Sequence, residues 1–348
     1  MGTFLYTVVC ECESAEVAER FEAWLLEGHA MHVVEAGALE AEVVRRDERV
    51  LENRYVFASA RAFERYEREG APRLRADALA RFGTSVRYTR STGTSRAQRS
   101  VKGLRVETVP YFNDNYAYLV HAYTPGARGT RSCVVVDPGD AKPVIEAIAE
   151  HDLSIRAIWC THHHPDHVAG VPDLLAAIGE VPVLGSRYDL EHTRIAKQTR
   201  GLVEGEVLPL LGHDFRVMNV PGHTLGAIAY VGAGMAFTGD TLFLAGCGRV
   251  FEGTMPQMHA SLMRFAELDP DTRLYVGHEY TEANLRFAAH IEPNDAAIAA
   301  RLEHVRALRA EQRFTVPGTV REELATNPFL RAKDATEFAA RREAKNTF

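Results

Sequence analysis

The sequence predicts two units of mixed helix and strand: an α+β unit over residues 1–92 and a larger α/β unit from residue 101 that closes in helices. Three observations lead there. Before residue 90, period-two runs alternate with helical stripes in the order β-α-β-β-α-β. Between 91 and 100 the chain reads Ser-Thr-Gly-Thr-Ser-Arg-Ala-Gln-Arg-Ser, small, polar and aperiodic, which marks a linker at 93–100. Beyond it, short apolar runs dominate until helical periodicity takes over after Thr281.

In the first unit, Phe4 to Cys12 alternates as a strand. Ser14 can cap a helix that begins at Ala15 and carries Val17, Phe21, Trp24 and Leu25 on one stripe. Gly37 ends that region, Ala38 to Arg45 alternates again, Arg46-Asp47-Glu48 turns, and Asn53 to Ser59 forms a further strand. Arg61 to Phe82 is helical with a break at Gly70-Ala71-Pro72, and Ser85 to Thr89 is the last strand. This order is the ferredoxin-like arrangement. It resembles the dimeric α/β-barrel class, including a small bacterial family of unassigned role that also reads Ala-Pro-Arg-Leu-Arg-Ala before its last strand. The resemblance brings no catalytic residues. His29 and His32, one helical turn apart, read as solvated or dipole-facing side chains rather than metal ligands. Both alternation sets of Phe4 to Cys12 hold apolar residues, so neither sheet face is expected to be fully solvated. A second copy of the sheet is the expected cover, which makes the chain a homodimer through this unit.

Bulk properties narrow the class. A length of 348 residues implies two or three domains, and 46% hydrophobic with 25% charged residues is the composition of a soluble globular protein. A net charge of −7 without a Lys/Arg block argues against nucleic acid. Met1 to Tyr6 lacks the features of a secretory signal, and no apolar run is long enough to span a bilayer. Five cysteines, odd in number and mostly in strand-like runs, suit reduced buried thiols and a cytoplasmic location. Cys10-Glu11-Cys12 has the wrong spacing for a zinc knuckle and reads as a strand with both thiols inward.

In the second unit, Leu104 to Val109, Ala117 to Ala122 and Cys133 to Val136 read as a meander entering Asp137-Pro138-Gly139-Asp140. Lys142 to His151 and Val171 to Ile178 read as helices. Ile155 to Cys160, Val181 to Leu184, Phe215 to Val220, Ile228 to Val231, Met235 to Thr238 and Arg273 to Val276 read as strands. Ala283 to His290, Asp295 to Glu311 and Val320 to Ala325 are helical.

The strand at Ile155 to Cys160 runs into Thr161-His162-His163-His164-Pro165-Asp166-His167. In an extended segment His162 and His164 share a side while His163 points away. Pro165 suits a first helical position and turns the chain, returning Asp166 and His167 toward the same point. Such a set can hold two cations a few ångströms apart. Three later strand ends carry His223, Asp240 and His278, each preceded by a glycine that permits close backbone approach. Five histidines and two aspartates thus end strands on one rim.

The order His-x-His-x-Asp-His, then His, Asp and His, resembles the metallo-β-lactamase superfamily. Asp114-Asn115-Tyr116, Phe237 to Phe243, Ala245-Gly246-Cys247-Gly248-Arg249, Gly277 to Thr281 and Thr326 to Arg331 are similar to the glyoxalase II (hydroxyacylglutathione hydrolase) family, from about residue 101 to the C-terminus. The resemblance implies an αββα sandwich over 101–280 and a helical glutathione-binding domain over 281–348. It implies that His162, His164 and His223 hold one divalent metal, that Asp166, His167 and His278 hold another, and that Asp240 bridges them. Imidazoles and carboxylates suit zinc first, with iron or manganese as alternatives. Asp137 is expected to orient a ligand histidine, against the plainer reading of an Asp-Pro turn. Arg249, Arg331 and Lys333 are the cations expected to meet the glutathione carboxylates, and Tyr280 the hydroxyl for its peptide part. Arg249 stands where the family often has lysine, and Phe251 where some relatives carry a ring hydroxyl.

The implied activity is hydrolysis of S-D-lactoylglutathione, or a related S-2-hydroxyacylglutathione, by a metal-bridging hydroxide, with Asp166 and Asp240 serving catalysis through the metals. The implied role is methylglyoxal detoxification. Two enzymatic alternatives are a glutathione persulfide dioxygenase with a single iron and a hydrolase of another acyl-thiol. The former type generally differs at the middle histidine and lacks the helical tail. A hydrolase fold retained only for binding is disfavoured, because all seven ligand positions are filled.

Overall fold

The computed structural model describes residues 4–94, 103–123 and 130–348. These residues divide into two compact units, one holding 4–94 and the other 104–122 with 131–348.

The first unit runs β1 (Phe4–Cys12), α1 (Ala15–Trp24), a wide helical turn over Leu25–His29, α2 (Ala30–Glu35), β2 (Glu40–Arg45), β3 (Val50–Phe57), α3 (Ala60–Glu69), α4 (Ala71–Phe82) and β4 (Val86–Thr94). Ser14 caps α1 by accepting from the Val17 N–H at 3.2 Å, as its position predicts. The strands form one antiparallel sheet in the order β2-β3-β1-β4. Tyr6, Val8, Cys10 and Cys12 of β1 are buried, with Phe21, Leu25, Val33 and Leu74 in the same core. The opposite face carries a small cluster of Leu5, Leu39, Val56 and Ala58 beside ion pairs of Glu52 with Arg46 and Arg54.

Two expectations need correction. The linker was expected to begin at 93, but Ser91 to Thr94 continue β4, with Phe4 opposite Thr94 and Thr7 opposite Ser91. Ladder hydrogen bonds come from the backbone, so a polar stretch can complete a sheet. Residues 95–100 of that linker lie outside the described residues. His29 is buried rather than solvated, because Phe21, Leu25 and His29 repeat every four residues on the core side.

The second unit stacks two six-stranded sheets. The first, in the order β10-β9-β8-β7-β6-β5, comprises β5 (Gly103–Tyr111), β6 (Asn115–Tyr123), β7 (Arg131–Val136), β8 (Leu153–Trp159), β9 (Val183–Ser186) and β10 (Arg200–Leu202). The second, β11-β12-β13-β14-β17-β18, comprises β11 (Val207–Leu210), β12 (His213–Asn219), β13 (Ile228–Gly232), β14 (Met235–Gly239), β17 (Arg273–Val276) and β18 (Gly318–Thr319). A short hairpin pairs β15 (Leu242–Phe243) with β16 (Gly246–Cys247).

Between the sheets, Tyr118, Val136 and Trp159 meet Phe215, Tyr230 and Phe237 in one buried cluster. The outer face of the first sheet is covered by α5 (Ala141–Glu150) and α7 (Val171–Ile178), through Val144, Leu174 and Leu175. The outer face of the second is covered by α9 (Met255–Ala266), α10 (Thr281–Ile291) and α13 (Ala335–Thr347), through Met258, Phe265, Phe287 and Phe338. The result is the helix–sheet–sheet–helix layering expected of this unit. The remaining helices are α6 (Pro165–Val168), α8 (Arg187–Glu191), α11 (Ala296–Ala310) and α12 (Val320–Thr326).

Helices α9 and α13 escape the sequence reading. Thr254 and Gln257 form a capping box at the start of α9, with Met258, Leu262 and Phe265 inward. That signature was present in the sequence. Helix α13 buries only Phe338 and Arg342, too few residues for a visible stripe.

Candidate metal centre

Every residue of the histidine and aspartate set lies just past a strand. Thr161 to His164 follow β8, and His164 leads into α6 with Pro165 at its first turn. His223 lies between β12 and β13, Asp240 follows β14, and His278 follows β17. Strand ends on adjacent strands of stacked sheets converge on one rim, which is why residues 116 positions apart in the chain (162 and 278) share a site.

Among the described residues, three groups of three have ligand atoms within 4.8 Å of one another: His162, His164 and His223; Asp166, His167 and His278; and Asp137 with His162 and His167, which ties the first two together. In the first, His223 Nε2 is 2.9 Å from His164 Nδ1. In the second, His278 Nε2 is 3.3 Å from His167 Nε2 and 3.4 Å from Asp166 Oδ2. Asp240 reaches both. Its Oδ2 is 3.5 Å from His223 Nε2 and 3.3 Å from His278 Nε2, and its Oδ1 is 3.2 Å from His167 Nε2. Glycine is required beside it: a Cβ at Gly277 would collide with Asp240 Oδ1, and one at Gly248 with the Asp240 carbonyl.

The outward ring nitrogens are tied down, and this fixes which nitrogens face inward. His278 Nδ1 donates to Asp114 Oδ1 at 2.8 Å, His223 Nδ1 to the Arg249 carbonyl at 2.8 Å, and His167 Nδ1 to Asp137 Oδ2 at 3.1 Å. Carboxylates and carbonyls only accept, so in the neutral imidazole each Nε2 keeps a bare lone pair. Asp137 also accepts from the Thr161 N–H and hydroxyl, both at 2.7 Å. Because that hydroxyl donates to Asp137, it accepts from His162 Nδ1 at 3.1 Å and leaves His162 Nε2 bare as well. His162 Nε2 is buried and has no hydrogen-bond partner. A buried orphan nitrogen among converging lone pairs is what a divalent cation would satisfy.

Electrostatics divide the histidines. Burial holds His162, His164 and His223 below the usual imidazole range, so they remain neutral donors. Burial also opposes protonation of His278, but its bonds to Asp166 and Asp240 outweigh this and raise it to about 10. Two carboxylates thus gather positive charge where a cation would sit.

The expected substrate residues are distributed unequally. Tyr280 stacks on His278 with ring centroids 4.7 Å apart, and Phe251 lies edge-on to His223 at 5.3 Å. Arg249 is exposed on the turn whose carbonyl holds His223. Arg331 is engaged elsewhere: its guanidinium meets Asp295 at 2.8 Å and Glu292 at 2.9 Å. Lys333 is exposed, with its backbone N–H donating to Glu337. His163 turns away from the centre toward Arg194. Asp114 and Asn115, whose amide reaches Asp166 Oδ2 at 3.1 Å, received no role from the sequence. The nearest signal was Asp114-Asn115-Tyr116, one of the runs that carry the family resemblance.

Comparison with known proteins agrees with this geometry. Residues 112–278 match the metallo-beta-lactamase superfamily, and residues 279–348 match the hydroxyacylglutathione hydrolase C-terminus. Hydroxyacylglutathione hydrolase of Aliivibrio fischeri (strain MJ11) is 45% identical over 232 residues, covering 67% of this chain and 88% of that protein. Its namesake from Aeromonas hydrophila is 46% identical over 240 residues, covering 69% and 91%. Among solved structures, ETHE1 from Myxococcus xanthus is more distant, at 25% identity and a TM-score of 0.51 over 70% of this chain and 91% of that one. The chain belongs to the hydroxyacylglutathione hydrolase family of the metallo-β-lactamase superfamily, and is an enzyme of the glyoxalase II type.

Proposed function

We propose that the chain hydrolyses S-D-lactoylglutathione, or a related S-2-hydroxyacylglutathione, to glutathione and the 2-hydroxy acid. The observation that carries this is Asp240, whose carboxylate lies within 3.5 Å of histidines from both groups and joins them into one seven-residue nest. His162, His164 and His223 would hold one divalent cation, Asp166, His167 and His278 a second, and Asp240 both, with zinc the first expectation. Two cations there would supply Lewis acidity at the thioester carbonyl and a water acidic enough to ionise near neutral pH.

The chain's own contribution is orientation. Asp114, Asp137 and the Arg249 carbonyl hold three imidazoles in the tautomer that faces inward. Water adds to the thioester carbonyl, the C–S bond breaks, and the departing thiolate takes up a proton as glutathione. No side-chain nucleophile is needed, and burial keeps Cys247 a thiol, pushed up to about 11. We read Tyr280, Phe251 and Arg249 as the rim that receives the glutathione part, with Lys333 for a carboxylate. The pairing of Arg331 with Glu292 and Asp295 supports a bracing role for it in the helical tail.

We also read the first unit as a ferredoxin-like dimerisation module, supported by the order β2-β3-β1-β4 and by Leu5 and Val56 on its helix-free face. The domain limits that fit this reading are 1–94, 101–280 and 281–348, the first extended by the end of β4. Metal analysis combined with hydrolysis of S-D-lactoylglutathione tests the activity. Two ions per chain and thioester cleavage are expected; one iron with oxygen uptake on glutathione persulfide would overturn it. Light scattering on the full chain and on a form starting near Val101 tests the module. The full chain should be dimeric and the shortened form monomeric and active; equal masses per chain number would refute it.

A further inference from the structure

The turn from Arg249 to Gly253 faces the metal centre on one side and solvent on the other. Its inner side is strapped to the His223 segment. The Phe251 and Glu252 N–H groups donate to the His223 carbonyl at 3.3 and 3.4 Å, and the Gly253 N–H donates to the Gly222 carbonyl at 3.1 Å. The Arg249 carbonyl completes the strap by accepting from His223 Nδ1. The outer side carries Phe251, which is 61% exposed and lies edge-on to His223 at 5.3 Å and to His164 at 5.8 Å. A ring so exposed gains little from burial, so its place depends on how firmly its backbone is held.

Glu252 supplies that hold. Its carboxylate accepts from both terminal nitrogens of Arg194, from Nη1 at 2.9 Å, and also from the Leu225 N–H at 2.8 Å. A guanidinium fork fixes a carboxylate in direction as well as in distance. Arg194 is itself anchored just after α8, where its N–H donates to the Asp189 carbonyl at 2.9 Å and its guanidinium lies over the Tyr188 ring at 5.9 Å. Its Nη2 also donates to His163 Nε2 at 2.7 Å. Arginine can only donate, so the neutral His163 ring keeps its proton on Nδ1, which faces Asp189 Oδ1 at 3.6 Å. That carboxylate is fully buried, and Gly226 makes room for it, because a Cβ there would collide with Asp189 Oδ1. One guanidinium thus joins the loop that carries His162 and His164 to the turn that holds His223 and presents Phe251.

We propose that Arg194, clasped between Glu252 and His163, is a positioning residue that sets the turn bearing Arg249 and Phe251, and thereby the affinity for the glutathione part of the substrate. This deepens the thioester reading above and rests on it. Arg194 acts through the turn and touches none of the seven residues of the centre. Releasing the clasp loosens the turn where it meets a non-reacting part of the substrate, so the loss falls on KM more than on kcat. His163, which turns away from the centre, has its place in this clasp as the second acceptor of the guanidinium.

The test is steady-state hydrolysis of S-D-lactoylglutathione by the full chain in saturating zinc, with metal content measured on each variant and hydrogen exchange followed across residues 249–254. Arg194→Ala should raise KM roughly ten-fold, the scale of a lost charge-assisted contact, while kcat falls by less than about three-fold and the amides of the turn exchange faster. Glu252→Gln keeps the side-chain shape and an acceptor for the Leu225 N–H but weakens the fork, so its KM should rise as well. The double variant should match the larger single effect rather than the product of the two, as expected of residues that act as one unit. Arg194→Lys keeps the charge without the fork and should recover only part of the loss. Should Arg194→Ala fail to fold, Glu252→Gln and Arg194→Lys carry the same test. An unchanged KM in a folded variant, a rise in KM that follows loss of metal, or multiplicative effects in the double variant would overturn the clasp. Failure of the thioester reading looks different: the wild type would leave S-D-lactoylglutathione intact, or Phe251→Ala would leave KM unchanged, and the clasp would fall with it.

Discussion

Replacing Asp137 with asparagine probes the centre without touching any residue assigned to a cation. The carboxylate accepts three hydrogen bonds: from the Thr161 N–H at 2.7 Å, the Thr161 hydroxyl at 2.7 Å and His167 Nδ1 at 3.1 Å. Asparagine keeps the shape but turns one acceptor into a donor. With Oδ1 kept on the Thr161 N–H, the new amide N–H faces both the Thr161 hydroxyl and His167 Nδ1. His167 can accept it only by moving its proton to Nε2, which caps the lone pair that points inward. The Thr161 hydroxyl can accept it on its second lone pair, but its own O–H then loses the acceptor that Asp137 supplied and His162 Nδ1 is the acceptor within reach, so the fault spreads to the other group. Losing a carboxylate behind a ligand histidine typically costs about 10–100-fold in metal affinity or activity. Asp137→Asn should therefore retain fewer than two ions per chain when dialysed against buffered zinc at a level that saturates the wild type. Its turnover on S-D-lactoylglutathione should fall by about the same 10–100-fold, and excess zinc should restore part of it. Two tightly held ions with wild-type turnover would refute the tautomer argument.

Asp240→Ala removes the carboxylate that reaches both groups, so metal content should fall to one ion or fewer and turnover should vanish; two ions with near-native rates would rule out a bridging role. Arg331→Ala should slightly lower the melting temperature by unbracing Glu292 and Asp295, and an unchanged melting temperature would refute the bracing role. Glu252 accepts from Arg194 at 2.9 Å, and that hydrogen bond holds its carboxyl down at about 2, against the ordinary value of 4.5. A depressed carboxylate stabilises the fold above its ordinary value and loses that contribution as pH falls toward 2. Urea titrations should show Glu252→Gln less stable than wild type by about 1–3 kcal/mol at pH 7, with the gap closing between pH 4.5 and 2; a gap constant with pH would refute the coupling of this carboxyl to folding.

The metal-binding character of this chain was legible in its sequence because it is local. His162, His164, Asp166 and His167 lie within six residues, so strand alternation and one proline are enough to aim them. His223, Asp240 and His278 were legible one at a time as ligand-type residues after glycines at strand ends, and the family resemblance grouped them. The β-α-β-β-α-β order was legible for the same reason, since periodicity and turn residues are properties of short segments.

What the tertiary structure decided is everything that depends on partners far along the chain. Asp114 holds His278 across 164 positions, and no local pattern announces that bond. Ser91 to Thr94 read as a linker because their side chains are polar, yet β1 supplies the backbone partners that make them a strand. Arg331 reads as a free cation until Glu292 and Asp295 are found beside it. His29, Asn53, Arg75 and Tyr88 belong to separate elements and share a cavity only after the helices have packed on the sheet. Sequence sets which groups are available at each position; folding sets which of them lose water together, and the cost of that loss determines how they pair.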